Sequence, residues 1–297
     1  MNQPGDNTCI IICGPTASGK TAAAIHLARK YNTEIISVDS RQCFRELKIG
    51  VARPSEKELN EVKHHFIATH SIFDNVNAAT FESYALSVAE HLFQIHRVIV
   101  MAGGTGLYIK AFCEGLDTIP EIDPEIRDRI IAAYEEYGLL WLQDEVRQKD
   151  PDFFEIGEIH NPQRMMRALE VKESTGQSII SFRKNKKIKR NFNIVKIGME
   201  LEKEILHQHI HKRVDAMIEN GLVNEVKSLV KYRELNALQT VGYNEILKYL
   251  DGQYELQEAI EEIKKNTRQY AKRQMTWFKK DNEINWLKPN EIINYTL

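Results

Sequence analysis

The sequence predicts an α/β fold: a parallel sheet flanked by helices, with an all-helical insertion domain interrupting it. Three observations carry this. Short apolar runs alternate with helical patterns in the first part of the chain, the signature of βαβ units. The first of these runs leads straight into a glycine-rich, phosphate-binding loop that opens a helix. From about Asp117 the texture changes, and residues 123–182 carry helical periodicity, many charges and no convincing strand.

Each element has its local reason. Cys9-Ile10-Ile11-Ile12-Cys13 reads as a buried strand. Gly14-Pro15-Thr16-Ala17-Ser18-Gly19-Lys20-Thr21 then matches the pattern G-x-x-x-x-G-K-[ST], and Ala22 to Ala28 supplies helix formers with apolar residues at helical spacing. The core is therefore P-loop NTPase-like. Glu34 to Val38 reads as a second strand, ending at Asp39-Ser40. Ser55 to Lys63 opens on a Ser-x-x-Glu cap and reads as helix. His64 to Thr69 is a further candidate strand. Thr80 to Ile95 places Phe81, Tyr84, Ala85, Val88 and Leu92 on one helix face. Arg97 to Ala102 is a buried strand running into Gly103-Gly104-Thr105-Gly106. Ile194 to Met199 returns to the sheet, and from Glu202 the chain reads as helical almost to its end, with breaks near Gly221, Asn236 to Gly242 and Asp251-Gly252. The expected division is 1–118 with 194–297 as the core, ending in basic helices, and 119–193 as the insertion.

Composition narrows the function classes. The chain has 297 residues and a net charge of −2, ordinary for a globular protein. No run of eighteen apolar residues and no signal pattern occurs, so no membrane is expected and the cytoplasm is the expected compartment. Cys9, Cys13, Cys43 and Cys113 lack metal or disulfide spacing and read as reduced core residues. Charge is uneven, however. Arg183 to Arg190 is almost wholly basic, and Lys264 to Lys280 holds seven cations and no acid. Such patches suit a phosphate backbone, although solvated helix faces would look the same.

The loop has a definite chemistry. Its N–H groups and the helix N-terminus cradle phosphates, Lys20 reaches the outer ones, and the Thr21 hydroxyl is placed to ligate Mg²⁺. A nucleotide hydrolase also wants an acid at the end of a buried strand to hold that metal. The Val98-to-Ala102 strand ends in glycines instead. Asp39 is the remaining strand-end carboxylate, fit to serve as metal ligand, general base or helix cap.

Here the motifs converge. The P-loop, Ser37-Val38-Asp39-Ser40-Arg41-Gln42, Ile49 to Pro54, Gly103 to Tyr108, Asn161 to Glu170, Arg213 to Val226, Val241-Gly242-Tyr243 and Arg268 to Phe278 follow one another in an order that resembles the tRNA dimethylallyltransferases. The resemblance implies transfer of a dimethylallyl group from dimethylallyl diphosphate to N6 of adenosine-37, beside the anticodon of tRNA. It makes the P-loop, Gly14 to Thr21, a diphosphate grip and Asp39 the base, with Lys20, Thr105 and Arg213 completing the catalytic set and Mg²⁺ on Thr21. It assigns tRNA contact to Asp39, Ser40, Arg41, Gln42, Thr105, Arg127, Gln163, Arg164, Met165, Met166 and Arg167. On spacing alone Arg213 would be a surface arginine, and Met165 and Met166 core residues. Arg127 stands at a helix start where an acid is the natural choice, itself a hint of an anionic partner. Tyr270, Trp277 and Phe278 on the last basic helix read chiefly as core.

Departures from the family pattern are small: Cys43-Phe44-Arg45 and Val51-Ala52-Arg53-Pro54 stand where Val-Tyr-Arg and Thr-Ala-Lys-Pro are usual. No zinc finger follows the core, which implies the bacterial short form. A monomer is expected. The rivals are a prenyltransferase acting on free adenine nucleotides, a P-loop small-molecule kinase and a nucleotide-sensing nucleic-acid binder.

Overall fold

The computed structural model describes residues 7–120, 122–184 and 186–297. The described residues form two compact units, one of residues 7–114 with 189–297 and one within residues 115–188. The first is built on a six-stranded sheet of β1 (Thr8–Cys13), β2 (Ile35–Val38), β3 (His64–His65), β4 (Val98–Gly103), β5 (Asn193–Met199) and β6 (Ile284–Leu287), in the order β3-β2-β4-β1-β5-β6. Every pairing is parallel. Strands of such a sheet are covered on both faces, which is why Cys9 to Cys13 is a continuous apolar run, not an alternating one.

Between β1 and β5 come α1 (Lys20–Lys30), α2 (Glu56–Glu61), α3 (Ala78–Phe93) and α4 (Gly106–Glu114). Helix α1 buries Ala23, Ala24, Ile25, Leu27 and Ala28 in one cluster with Ile10 and Ile12 of β1 and Val100 of β4. Ser55 caps α2 in a reciprocal box with Glu58, as the Ser-x-x-Glu spacing implies. The order of strands brings the carboxyl ends of β1, β2 and β4 together, with β1 and β2 flanking β4. Ligands collect at that edge in open parallel sheets.

The second unit is helical: α5 (Pro124–Lys149), α6 (Pro151–Ile156), α7 (Pro162–Thr175) and α8 (Ile179–Phe182). Its own core joins Ile130, Leu142, Val146, Phe153, Met165, Met166, Leu169 and Ile179. Helix α5 is broken at Gly138, whose φ of 78° leaves the helical region. After β5 the first unit resumes with α9 (Lys203–Glu219), α10 (Leu222–Leu229), α11 (Tyr243–Leu250), α12 (Leu256–Phe278) and, beyond β6, α13 (Pro289–Ile293). No helix among the described residues is long and apolar enough to cross a membrane.

Three local expectations are corrected. The chain is not helical to its end, because Ile284 to Leu287 adds a parallel edge strand to β5. The expected strand from His64 to Thr69 stops after two residues, since Phe66 and Ala68 take positive φ and leave the extended region. Helix α4, unread in the sequence, follows at once on the glycine turn after β4.

Candidate active site

The P-loop is shaped by backbone geometry before any side chain acts. Gly14 and Gly19 have φ of 142° and 91°, and Ala17 also sits at positive φ. Gly19 opens α1 from the left-handed region, so Lys20 and Thr21 begin the helix with its first N–H groups free. Across the strand ends lie two further glycines with a packing reason. A Cβ on Gly103 would come within 2.0 Å of the Val38 carbonyl oxygen, and one on Gly104 within 2.2 Å of Gln274 Nε2. Only glycine lets β4 end this close to β2 and α12.

Around these ends opens a cleft of about 380 Å³, lined by the loop from Thr16 to Thr21, by Asp39, Gln42, Arg213, Tyr270 and Gln274, and by the turn Val51 to Pro54. All of these residues belong to the sheet-based unit. Two cations face the loop. Lys20 Nζ donates to the Pro15 carbonyl at 2.6 Å, and Arg213 Nη1 donates to Thr16 Oγ1 at 3.1 Å. Burial, reinforced by the neighbouring Arg213, lowers the Lys20 ammonium to about 8. Burial likewise lowers Arg213, against the pull of Asp39 and Glu58. Two half-buried cations beside free N–H groups, with no acid among the described residues bridging them, make an arrangement suited to a strongly charged anion. Ser18 adds a buried hydroxyl with no partner.

Asp39 faces this anion site from the end of β2. Its Oδ1 accepts from the N–H groups of Arg41 at 2.8 Å and Gln42 at 3.2 Å, which fixes the carboxylate in an Asx-type turn. The Thr105 hydroxyl accepts from the Ser40 N–H at 3.1 Å, and the N–H groups of Gly104 and Thr105 both point to the Val38 carbonyl. Thr105 thus braces the segment that carries Asp39. Arg41 donates to Asn236 Oδ1 and to the Gln239 carbonyl, and Gln42 Nε2 to the carbonyls of Val51 and Ala52. Those side chains act first as struts of the cleft.

Gln274 is the functional-site residue that sequence reasoning left without a role. Its Oε1 accepts from the Thr16 N–H at 2.7 Å and its Nε2 donates to the Gly104 carbonyl at 2.9 Å. One buried amide therefore ties the P-loop to the β4 turn. Tyr270, one helical turn earlier, hydrogen-bonds Gln274 and lines the cleft, where burial and the Asp39 charge raise its phenol to about 12. Their i, i+4 spacing on a basic helix was the available signal. The aromatics of that helix divide: Phe278 is buried, Tyr270 faces the cleft, and Trp277 is 40% exposed, so its reading as core is corrected.

The remaining candidates lie in the helical unit. Met165 and Met166 are buried in its core, with no side-chain surface to offer a partner. Gln163 and Arg164 are exposed, and Arg167 half-buried, on the first turns of α7. Arg167 pairs with the buried Glu170 at 3.0 Å, and Arg127 lies 3.9 Å from the same carboxylate. Glu170 is thus an intramolecular reason for the arginine at the start of α5.

Among the described residues no cluster of three His, Cys, Asp or Glu side chains is arranged to cage a metal. Oxygen donors that line the cleft include the hydroxyls of Thr16, Ser18 and Thr21 and the carboxylates of Asp39 and Glu58.

Residues 42–281 match the family model described as IPP transferase. The chain belongs to this family. Its relatives include a tRNA dimethylallyltransferase of Christiangramia forsetii, 49% identical with 96% of this chain and 94% of that one covered. The tRNA dimethylallyltransferase 1 of Bacteroides thetaiotaomicron is 45% identical, covering 97% and 94%. Among solved structures, the full-length tRNA isopentenylpyrophosphate transferase of Bacillus halodurans superposes with a TM-score of 0.70 at 34% identity, covering 97% and 94%. A eukaryotic dimethylallyltransferase caught acting on tRNA superposes with a TM-score of 0.77 at 25% identity, covering 95% of this chain and 74% of that one. The P-loop, Lys20 and Asp39 fall outside the residues matched by the family model but inside the full-length likenesses.

Proposed function

We propose that this chain transfers the dimethylallyl group of dimethylallyl diphosphate to N6 of adenosine-37 in the anticodon loop of tRNA. The observation that carries the reading is the cleft in which the P-loop, with Lys20 and Arg213 against it, faces the Asp39 carboxylate at the end of β2. The N6 amine attacks the allylic C1, the N–C bond forms, and the C1–O bond to diphosphate breaks. The exocyclic amine is a poor nucleophile because its lone pair is delocalised into the ring. Asp39 accepts the proton that N6 loses, which lifts this handicap by general-base catalysis. Lys20, Arg213 and the N–H groups of Gly14 to Thr21 take up the charge that develops on the leaving diphosphate. The loop holds a leaving group and never passes a phosphoryl group on, consistent with the glycines that end β4 in place of an acid.

Mg²⁺ fits the donor set. It prefers oxygen, keeps its waters, and is usually held through substrate phosphates and one or two protein ligands, not an all-protein cage. Thr21 would be its protein ligand, and it would supply further neutralisation of the diphosphate. For the adenosine side, the base leaves its stack to enter the cleft, as substrates of base-modifying enzymes do. Gln42 lines the cleft, and Thr105, Ser40 and Arg41 stand beside Asp39, where they would meet the incoming nucleotide. Arg127, Gln163, Arg164 and Arg167 offer the helical unit's contacts to the RNA backbone, with Met165 and Met166 supporting them from beneath.

The test is prenyl transfer with dimethylallyl diphosphate and Mg²⁺, offering an unmodified anticodon stem-loop or free AMP in separate reactions. The expected product is N6-prenyl adenosine in the stem-loop. Product with AMP alone would make the chain a free-nucleotide prenyltransferase, and ATP hydrolysis without any prenyl product would overturn the transferase reading.

A further inference from the structure

Outside the cleft, Glu225 on α10 is a heavily engaged carboxylate of the sheet-based unit. Its Oε2 accepts from the N–H groups of Lys48 at 3.1 Å and Ile49 at 2.8 Å, and its Oε1 from Gly50 N–H at 3.0 Å. Tyr243 at the start of α11 donates its hydroxyl to the same Oε1 at 2.5 Å. Three successive N–H groups turned toward one point form an anion nest, and here a side chain of the same molecule fills it. The fit is close, since a Cβ on Gly50 would stand 2.4 Å from Cε2 of Tyr243. Burial and the Glu225 charge together raise the Tyr243 phenol, so it stays a donor.

What this carboxylate holds is the approach to the active site. The turn after the nest continues through Ala52, at a positive φ of 50°, into Arg53 and Pro54, and Val51 to Pro54 line the cleft. The carbonyls of Val51 and Ala52 accept from Gln42 Nε2, and the Gln42 N–H in turn donates to Asp39 Oδ1. Arg53 fastens the turn from its other side, its guanidinium donating to the carbonyls of Phe44, Arg45 and Leu47. Hydrogen bonds joined by two short covalent stretches, Gly50 to Val51 and the Gln42 side chain to its own N–H, therefore link α10 and α11 through the nest to Asp39.

We propose that Glu225 is a positioning residue for the transfer reaction: by filling the Lys48–Gly50 nest it fixes the Val51–Pro54 wall and, through Gln42, the Asp39 carboxylate. The proposal rests on the reading of Asp39 as the base. It predicts a split in the kinetics, because the P-loop is tied by Gln274, not by this network. Glu225→Gln puts an amide donor against the nest's N–H groups, whereas Tyr243→Phe leaves the carboxylate and its three backbone bonds in place.

The experiment compares the wild type with both variants, well below their unfolding temperatures. It measures single-turnover prenyl transfer to a stem-loop, affinity for a non-reactive thiodiphosphate analogue of the donor, and amide hydrogen exchange across residues 45–54. Glu225→Gln is expected to slow the chemical step roughly 30-fold, about a thirtieth of the ~10³-fold loss expected on removing the general base. Its donor affinity should stay within about twofold of wild type and its residues 48–50 should lose exchange protection, while Tyr243→Phe keeps the rate within about threefold. An unchanged rate in Glu225→Gln would overturn the proposal, as would equal loss of rate and donor affinity, or rate losses in the two variants that merely follow their stabilities. A wild type without prenyl transfer would instead overturn the function itself, and the exchange data would still report whether Glu225 orders the turn.

Discussion

The cleft and the helical unit handle charge in opposite ways. In the cleft, Lys20 and Arg213 stand beside one another with no carboxylate between them, each resting on a neutral oxygen of the P-loop. In the helical unit, Arg127 and Arg167 converge on Glu170, only 3% exposed, while their own side chains remain 56% and 38% exposed. The first arrangement leaves two half-buried cations without a direct ion pair, drawn only at longer range by Asp39, which suits a charged leaving group. The second balances one buried anion and keeps guanidinium surface in water, which suits a polyanion that arrives and departs. On the proposed function, placement of charge, not its amount, would separate the catalytic site from the RNA-docking surface.

The sharpest way to break this comparison is at Asp39. Asp39→Asn keeps the Oδ1 that accepts from Arg41 and Gln42 but removes the base, so the turn should survive while turnover falls about 10³-fold. A single-turnover assay alongside circular dichroism checks both halves. Next in size come the cations: Lys20→Met or Arg213→Gln should each cost roughly 10²–10³ in kcat/KM for the diphosphate donor. If either variant lost only RNA affinity, the cleft would not be the leaving-group site.

Acidity offers a gentler probe. A lysine lowered to about 8 loses its charge as pH rises through that value, so affinity for a diphosphate should weaken above pH 8 and be constant below it. Calorimetric titration with a non-reactive diphosphate analogue from pH 6.5 to 9.5 would register this, and Lys20→Arg should flatten the profile. The smallest effects belong to the helical unit. Arg164→Ala or Arg167→Ala should leave kcat unchanged, raise KM for a stem-loop a few-fold, and lower the salt slope of RNA binding by about 0.7–0.9 per lost phosphate contact. A fall in kcat instead would give these arginines a place in the chemistry.

Much of the sheet was legible because its signals are local. The Cys9–Cys13 run, the eight-residue loop and the helix formers behind it need no distant partner to be read, nor does the Ser55–Glu58 box. Strand β6 was not legible: Ile284 to Leu287 is short, and pairing with β5 decides its conformation. The early end of β3 depended on positive φ at Phe66 and Ala68, which no residue-type rule announces. Arg127 shows the opposite failure, an anomaly visible in the sequence whose intramolecular cause was not, since Glu170 lies across the fold of its own unit.

By itself the sequence determined that a phosphate grip opens a helix at the end of a buried strand, and that a carboxylate ends the next strand. Both follow from steric and hydrogen-bonding rules acting over a few residues. Only the tertiary structure decided what faces that grip. Gln274 reaches Thr16 across 258 positions and Arg213 reaches it across 197. Such contacts are chosen by the packing of α9 and α12 against the strand ends, and a polar side chain on a helix carries no local mark of the partner it will meet.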